Sequence, residues 1–198
     1  MSSEAEKVHQ PGDSETEGYR PDRLPRMLHV LRQTQPEEAP FRFGGGAASG
    51  AVVSHGGFRA VGLRWEGSFA EAGQGAIRPL QARMIARIGE VIGAIEPDTL
   101  VCVSFTHEGG FVHYIAVQVG EDAPVPEGMH PVALEAANYL YLRKKETDDV
   151  DDVYTRAFTI MGERGLGHDR GIHVELHSSD WQADRPYAMD IYLPVVPL

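Results

Sequence analysis

Near the C-terminal end of the sequence, Ile172-His173-Val174-Glu175-Leu176-His177 alternates apolar and polar side chains. Alternation of period two marks a strand with two unlike faces, so His173, Glu175 and His177 share one face. A carboxylate between two imidazoles suits either the capture of a cation or acid–base work on a bound molecule. The last strand-like run is built the same way, with Met189, Ile191 and Leu193 on one face and Asp190 and Tyr192 on the other. Tyr114 and Gln118 take the polar side of an earlier strand. Trp181 stands in a polar loop, where an indole suits the lining of a pocket mouth. A carboxylate walled by aromatic rings favours a flat cation. A polar sheet face can also simply meet water, and that reading fits Asp190 taken alone.

His173-x-Glu175-x-His177 also places three metal-ligand types on one face. Residues two apart on an extended strand converge on one ion only at a bend, so no metal is expected. There is no phosphate-cradling glycine loop ahead of a helix and no nucleophile elbow, so no cofactor is expected either. Ser178 and Ser179 adjoin His177 in sequence, which is not the geometry of a catalytic triad.

The elements that position these side chains follow one order twice: strand, helix, strand, strand. The two copies span about residues 52–120 and 129–196. In the first, Val52 to Trp65 reads as a strand interrupted at Gly56-Gly57. A helix is expected from Gly75 to Ile95, with Pro79 in its first turn and Pro97 as its stop. Thr99 to Thr106 and Phe111 to Val119 form a hairpin across His107-Glu108-Gly109-Gly110. In the second, Pro131 to Arg143 is a strand carrying Tyr139 and Tyr141, and Thr147 caps a helix with Val150, Val153, Tyr154, Ala157, Phe158 and Met161 on one stripe. Gly165 and Gly167 end that helix. Strands Gly171 to His177 and Tyr187 to Val195 close the chain. Each sheet half is expected to bury its apolar face under a helix and to leave the polar face, with Glu175, in an open cleft.

Residues 1–50 read as a flexible segment with a short helix at 21–35, where Leu24, Met27, Leu28 and Leu31 share a face; residues 51–198 form the domain. The 198-residue chain has a formal net charge of −11, and residues 51–198 hold 21 acidic against 12 basic side chains. Such a surface repels a phosphate backbone, so no direct nucleic acid binding is expected. Cys102 is the sole cysteine, which rules out an internal disulfide and a cysteine-based zinc cluster. With no apolar leader and no run long enough to span a bilayer, a cytoplasmic protein without a membrane partner is expected.

The chain resembles the GyrI-like small-molecule-binding family, related to the effector-binding domains of multidrug-responsive and AraC-type transcription regulators. The resemblance covers about residues 52–196. It rests on Phe58-Arg59-Ala60-Val61-Gly62-Leu63 with Gly67, Tyr114-Ile115-Ala116-Val117-Gln118-Val119, His173-Val174-Glu175-Leu176-His177 and Met189-Asp190-Ile191-Tyr192-Leu193-Pro194-Val195. It implies an α+β fold of duplicated β-α-β-β units, with antiparallel sheet, helices on one face and a ligand cleft between pseudo-symmetric halves. Glu175 falls where the family often has a cleft glutamate, and Asp190 replaces a frequent glutamate. Ile77-Arg78-Pro79-Leu80-Gln81 lacks the tryptophan that many members carry there. The segment before the domain is too short for a helix-turn-helix domain, so a stand-alone binder is expected.

The expected function is binding of an aromatic or cationic compound, for sequestration or resistance, by Glu175, Tyr114, His173, His177, Trp181, Asp190 and Tyr192. One alternative, which the resemblance implies, is a hydrolase of cyclopropane-bearing genotoxins, with Glu175 acting on water and Tyr114 donating a proton. Another is a modulator of a DNA topoisomerase or regulator through protein contact. A partner protein or a homodimer fits any of the three.

Overall fold

The computed structural model describes residues 41–44, 47–182 and 185–198. The helix expected at 21–35 lies outside them. The described residues form an α+β fold with one antiparallel sheet of nine strands.

The alternating runs make the strands. β1 (Val52–His55) and β2 (Phe58–Gly67) are parted only by Gly56-Gly57, and β5 (His130–Leu134) and β6 (Ala137–Lys144) only by Glu135-Ala136. The antiparallel register runs through both breaks, because His55 opposes Ala137 and, three residues on, Phe58 opposes Leu134. The four strands are therefore one long bent ribbon. At the bend a Cβ on Gly57 would come within 3.0 Å of the Leu134 carbonyl oxygen. β3 (Thr99–His107) and β4 (Gly110–Val119) form a hairpin whose Gly109 takes φ +91°, which favours glycine. β7 (Leu166–His168) pairs with the end of β9 (Met189–Pro197), and β8 (Ile172–Ser178) joins β3 to β9. The hydrogen-bonded order is β1-β6-β9-β8-β3-β4-β2-β5. Since β1 continues into β2 and β5 into β6, the pairing closes on itself and the sheet acquires an inside.

Among the described residues, three α-helices lie on the outside. α1 (Phe69–Gly73) starts with a Ser68/Glu71 capping box. α2 (Arg78–Arg87), with Pro79 in its first turn, packs on β2 and β4. It stops at Arg87 and not at Ile95, passing through a 3-10 turn (Ile88–Glu90). Val91 then enters the core, Gly93 reverses the chain at φ +83°, and Ala94 bridges to Val119. α3 (Val150–Arg164) packs on β6 and β7 and ends at Gly165 in the left-handed region. Its cap is Asp149 and not Thr147: the Asp149 carboxylate accepts from the backbone N–H groups of Asp151 and Asp152. Asp149→Ala should cost about 1 kcal/mol in urea unfolding while Thr147→Ala leaves the midpoint unmoved.

Two apolar clusters lie under the helices. One gathers Val61, Leu63, Leu80, Met84, Leu100 and Ile115; the other gathers Leu140, Leu142, Val153, Met161, Ile191 and Leu193. A third fills the inside, with Phe58, Val103, Tyr139, Val174, Leu176 and Tyr192 around Phe41. Phe41 is 1% exposed, stacks on His55 with ring centres 3.6 Å apart, and meets Phe58 and Tyr192 edge-on. The chain just before the domain is thus part of its core.

This inner cluster reverses one expectation. Ile172, Val174 and Leu176 do not face the helices; they point inward with Phe41. His173, Glu175 and His177 point outward, to the helix side. Both sides of the sheet are covered, and apolar alternation alone cannot say which cover an apolar set will meet.

Candidate functional site

Glu175 opposes Cys102 on β3 and Ile191 on β9, at the seam where the two halves of the sheet join. α2 and α3 rest on the outer strands to either side, so a polar band remains between the two apolar clusters. It contains Ser104, His113, His173, Glu175 and His177. Tyr154 of α3 leans over it and donates its hydroxyl to Glu175 Oε1 at 2.5 Å. His177 Nε2 lies 3.8 Å from Glu175 Oε2, an ion-pair distance too long for a hydrogen bond. The Glu175 side chain keeps 22% of its surface exposed, enough for a solute to reach it.

Trp181 stacks on His177, with ring centres 3.7 Å apart and planes 15° from parallel, and Tyr187 approaches both rings at 5.6 Å. The loop is tied down from both sides. Gln81 of α2 donates to the Trp181 carbonyl at 2.8 Å, and Lys144 donates to the Tyr187 carbonyl at 2.9 Å while sitting 4.4 Å above the Tyr187 ring centre. Lys144 is therefore buried, although it sits in the basic run Arg143-Lys144-Lys145 at a strand end. Trp181 and Tyr187 also line a cleft of about 430 Å³ together with Phe43, Arg143 and Arg185.

The electrostatics favour a standing negative charge. Burial pushes the Glu175 carboxyl up, but the His177 imidazole, the Tyr154 hydroxyl and His113 together outweigh it and hold the group at about 2. Burial lowers His113 and His173 to about 4, against the pull of Glu175, and keeps both neutral. Burial, then the Glu175 charge, pushes the Tyr154 phenol and the Cys102 thiol well up, so neither is a ready nucleophile at neutral pH. Among the described residues, Glu175 has no Arg or Lys partner within ion-pair distance. No group of three or more described His, Cys, Asp or Glu side chains is arranged to hold a metal ion.

Of the residues singled out in the sequence, the structure brings Glu175, His173, His177 and Trp181 together. Tyr114, Asp190 and Tyr192 lie on the inner side of the sheet. Tyr114 sits beside Phe105 and Tyr192 packs against Phe41. Asp190 is 0% exposed; its Oδ1 accepts from the Tyr141 hydroxyl at 2.7 Å and Arg143 at 2.8 Å, and its Oδ2 from the Gly44 N–H at 2.6 Å. Sequence reading missed Tyr154, placed in an apolar helical stripe, and His113 and Tyr187. The signal for Tyr154 was a phenol among buried apolar neighbours, which must find a partner for its hydroxyl.

Residues 53–196, well over half of the chain, match the GyrI-like small molecule binding domain, and the chain belongs to that family. The transcriptional regulator BrlR of Pseudomonas aeruginosa is 27% identical over 149 residues, 73% of this chain and 54% of that protein. The chain thus spans about half the length of this curated relative. Among solved structures, SAV2435 bound to tetraphenylphosphonium superposes with a TM-score of 0.52 at 14% identity, over 74% of this chain and 93% of that one. The C-terminal domain of EcmrR gives 0.55 at 11% identity, over 75% and 97%. At such identities these two likenesses establish the fold. Among the described residues no helix is long and apolar enough to cross a membrane.

Proposed function

We propose that this chain binds a small aromatic cation between α2 and α3, with Glu175 as the charge anchor and Trp181, Tyr187, Tyr154 and the flanking imidazoles as walls. The observation that carries this reading is an ionised, largely desolvated carboxylate that, among the described residues, has no Arg or Lys partner, faces only the His177 imidazole at 3.8 Å, and is set among ring faces. A cation entering this space gains charge pairing and ring contact together, in surroundings that screen both weakly. The tetraphenylphosphonium complex of SAV2435 supports the reading at the level of a shared fold. The bound compound would be sequestered, or would act as the effector of a sensing protein, as the likeness to the regulator BrlR suggests.

Binding is favoured over hydrolysis on a magnitude. A carboxyl held at about 2 is a weak general base, because proton abstraction at neutral pH works best with a pKa near the ambient pH. Tyr114, the expected proton donor, lies across the sheet from Glu175. Replacement of Glu175 by Gln should weaken binding of a planar cation by about tenfold or more, roughly 1.4 kcal/mol, while a neutral ring of the same shape is held equally well. Isothermal titration of both variants against both ligands checks this. Equal loss for the cation and the neutral ring would mean that the carboxylate shapes the site without supplying its charge.

A further inference from the structure

We infer that the site selects flat cations that exchange hydrogen bonds, such as a protonated aminopyrimidine fused to a ring, over quaternary cations of the tetraphenylphosphonium kind. The inference rests on the proposed cation site at Glu175 and names the ligand class that this site takes. Its basis is a set of polar atoms around the carboxylate that lack partners. Among the described residues, His113 Nε2, both ring nitrogens of His177 and the indole N–H of Trp181 are buried and make no hydrogen bond. His177 is 1% exposed and His113 5%. Such groups carry a free-energy penalty until something polar meets them, and native cores rarely leave several together.

These atoms belong to one band of the sheet and the loop stacked on it. His177 faces Glu175 at 3.8 Å, and Trp181 lies flat against the His177 ring. His113 has its other nitrogen, Nδ1, 2.8 Å from Ser104 Oγ, which fixes its ring on the same band of the sheet. Glu175 Oε1 already accepts from Tyr154, which leaves Oε2 to accept from a ligand. The unmet groups therefore include a carboxylate acceptor, an indole donor, and imidazole nitrogens of which at least one on His177 carries a hydrogen. A planar amidinium-type heterocycle supplies the complement. Its N–H groups meet the carboxylate, its bare ring nitrogen accepts from the indole or imidazole, and its face lies against the rings of Trp181 and Tyr187. A quaternary cation carries charge and apolar surface but neither donor nor acceptor. It would seal these buried atoms away unpaired, and a site built to hydrogen-bond rejects analogues that cannot respond in kind.

Isothermal titration of the whole unaltered chain at neutral pH decides the matter with three probes: protonated 2,4-diaminoquinazoline, 1-methylquinolinium and tetraphenylphosphonium. The first two are flat bicyclic cations of similar size that differ in hydrogen-bonding capacity. The expected result is that the diaminoquinazoline binds at least about tenfold tighter than either quaternary cation. His177→Phe and His113→Phe should each narrow that gap by weakening the diaminoquinazoline alone. Equal affinities, all lost in Glu175→Gln, would overturn the selectivity and leave the cation site standing. Absence of binding by every probe would overturn both. The comparison among ligands needs no variant, so it holds even if a histidine replacement fails to fold.

Discussion

Replacing Asp190 by Ala should cost about 3–5 kcal/mol of folding stability, the range for removing one partner of a buried, hydrogen-bonded charge pair. The carboxylate is 0% exposed and its two oxygens serve three donors on two separate stretches of chain: Tyr141 and Arg143 of β6, and Gly44. Without it the Tyr141 hydroxyl and the Gly44 N–H lose their acceptor. The Arg143 guanidinium is 30% exposed and stacks 4.5 Å over Phe43, so it can turn partly to water, which argues for the lower part of the range. Asp190→Asn, which keeps the shape and loses the charge, should cost less. Urea unfolding of the two variants measures both. The same pair tests whether Asp190 takes part in binding. Ile191, its neighbour on β9, opposes Glu175, so Asp190 points the other way, into the sheet's inner side. Cation affinity of Asp190→Asn should match that of the unaltered chain. A loss comparable to that of Glu175→Gln would place Asp190 in the site after all.

Much of this architecture was legible because it is written in local periodicity. Alternation at 172–177 and 189–195 fixed which side chains share a face, and the Gly56-Gly57 break was visible as two adjacent glycines inside a strand-like run. Which face meets which cover was not legible. That depends on β1–β2 and β5–β6 closing the sheet into a ring, and on Phe41 being drawn inside it, both of which are long-range events. A reading that grants each half-sheet one covered face sends the apolar set of β8 to the helices. Closure gives the sheet a second apolar mass, and the polar set is left for the gap between α2 and α3.

The helix boundaries divide for a similar reason. Gly165 ends α3 through a local backbone preference that the sequence states directly. The stop of α2 at Arg87 is tertiary, because Val91 and Ala94 give more to the core and to a bridge with Val119 than another helical turn would give. Glu175 itself was legible as an acid on a strand. Its partners Tyr154, His113 and Tyr187 come from three other segments, and only their assembly turns a polar strand face into a site.

Acidification should weaken the fold in two stages, and the first belongs to the histidines of the site. His113 and His173 fall from the ordinary value of 6.5 to about 4 in the folded protein, chiefly through burial. Below pH 6.5 the unfolded chain therefore takes up protons that the folded chain refuses, so stability declines as pH falls from there to about 4. At 1.36 kcal/mol per pH unit the depression at His113 is worth about 3 kcal/mol when complete; His173, more exposed, contributes less. Through this window Glu175 stays ionised. Its own contribution, present above the ordinary carboxyl value of 4.5, is lost only as pH falls on toward about 2. Urea unfolding at a series of pH values from about 8 to 4 should show stability level above neutrality and falling steadily below it. His113→Gln should flatten the upper part of that slope, since a side chain that does not titrate cannot take up the proton on unfolding. Stability that stays level down to about pH 5 would mean that these imidazoles are open to water. The buried, unpartnered Nε2 of His113, one of the atoms on which ligand selection depends, would then be solvated, so the acid profile of the protein alone bears directly on what it can bind.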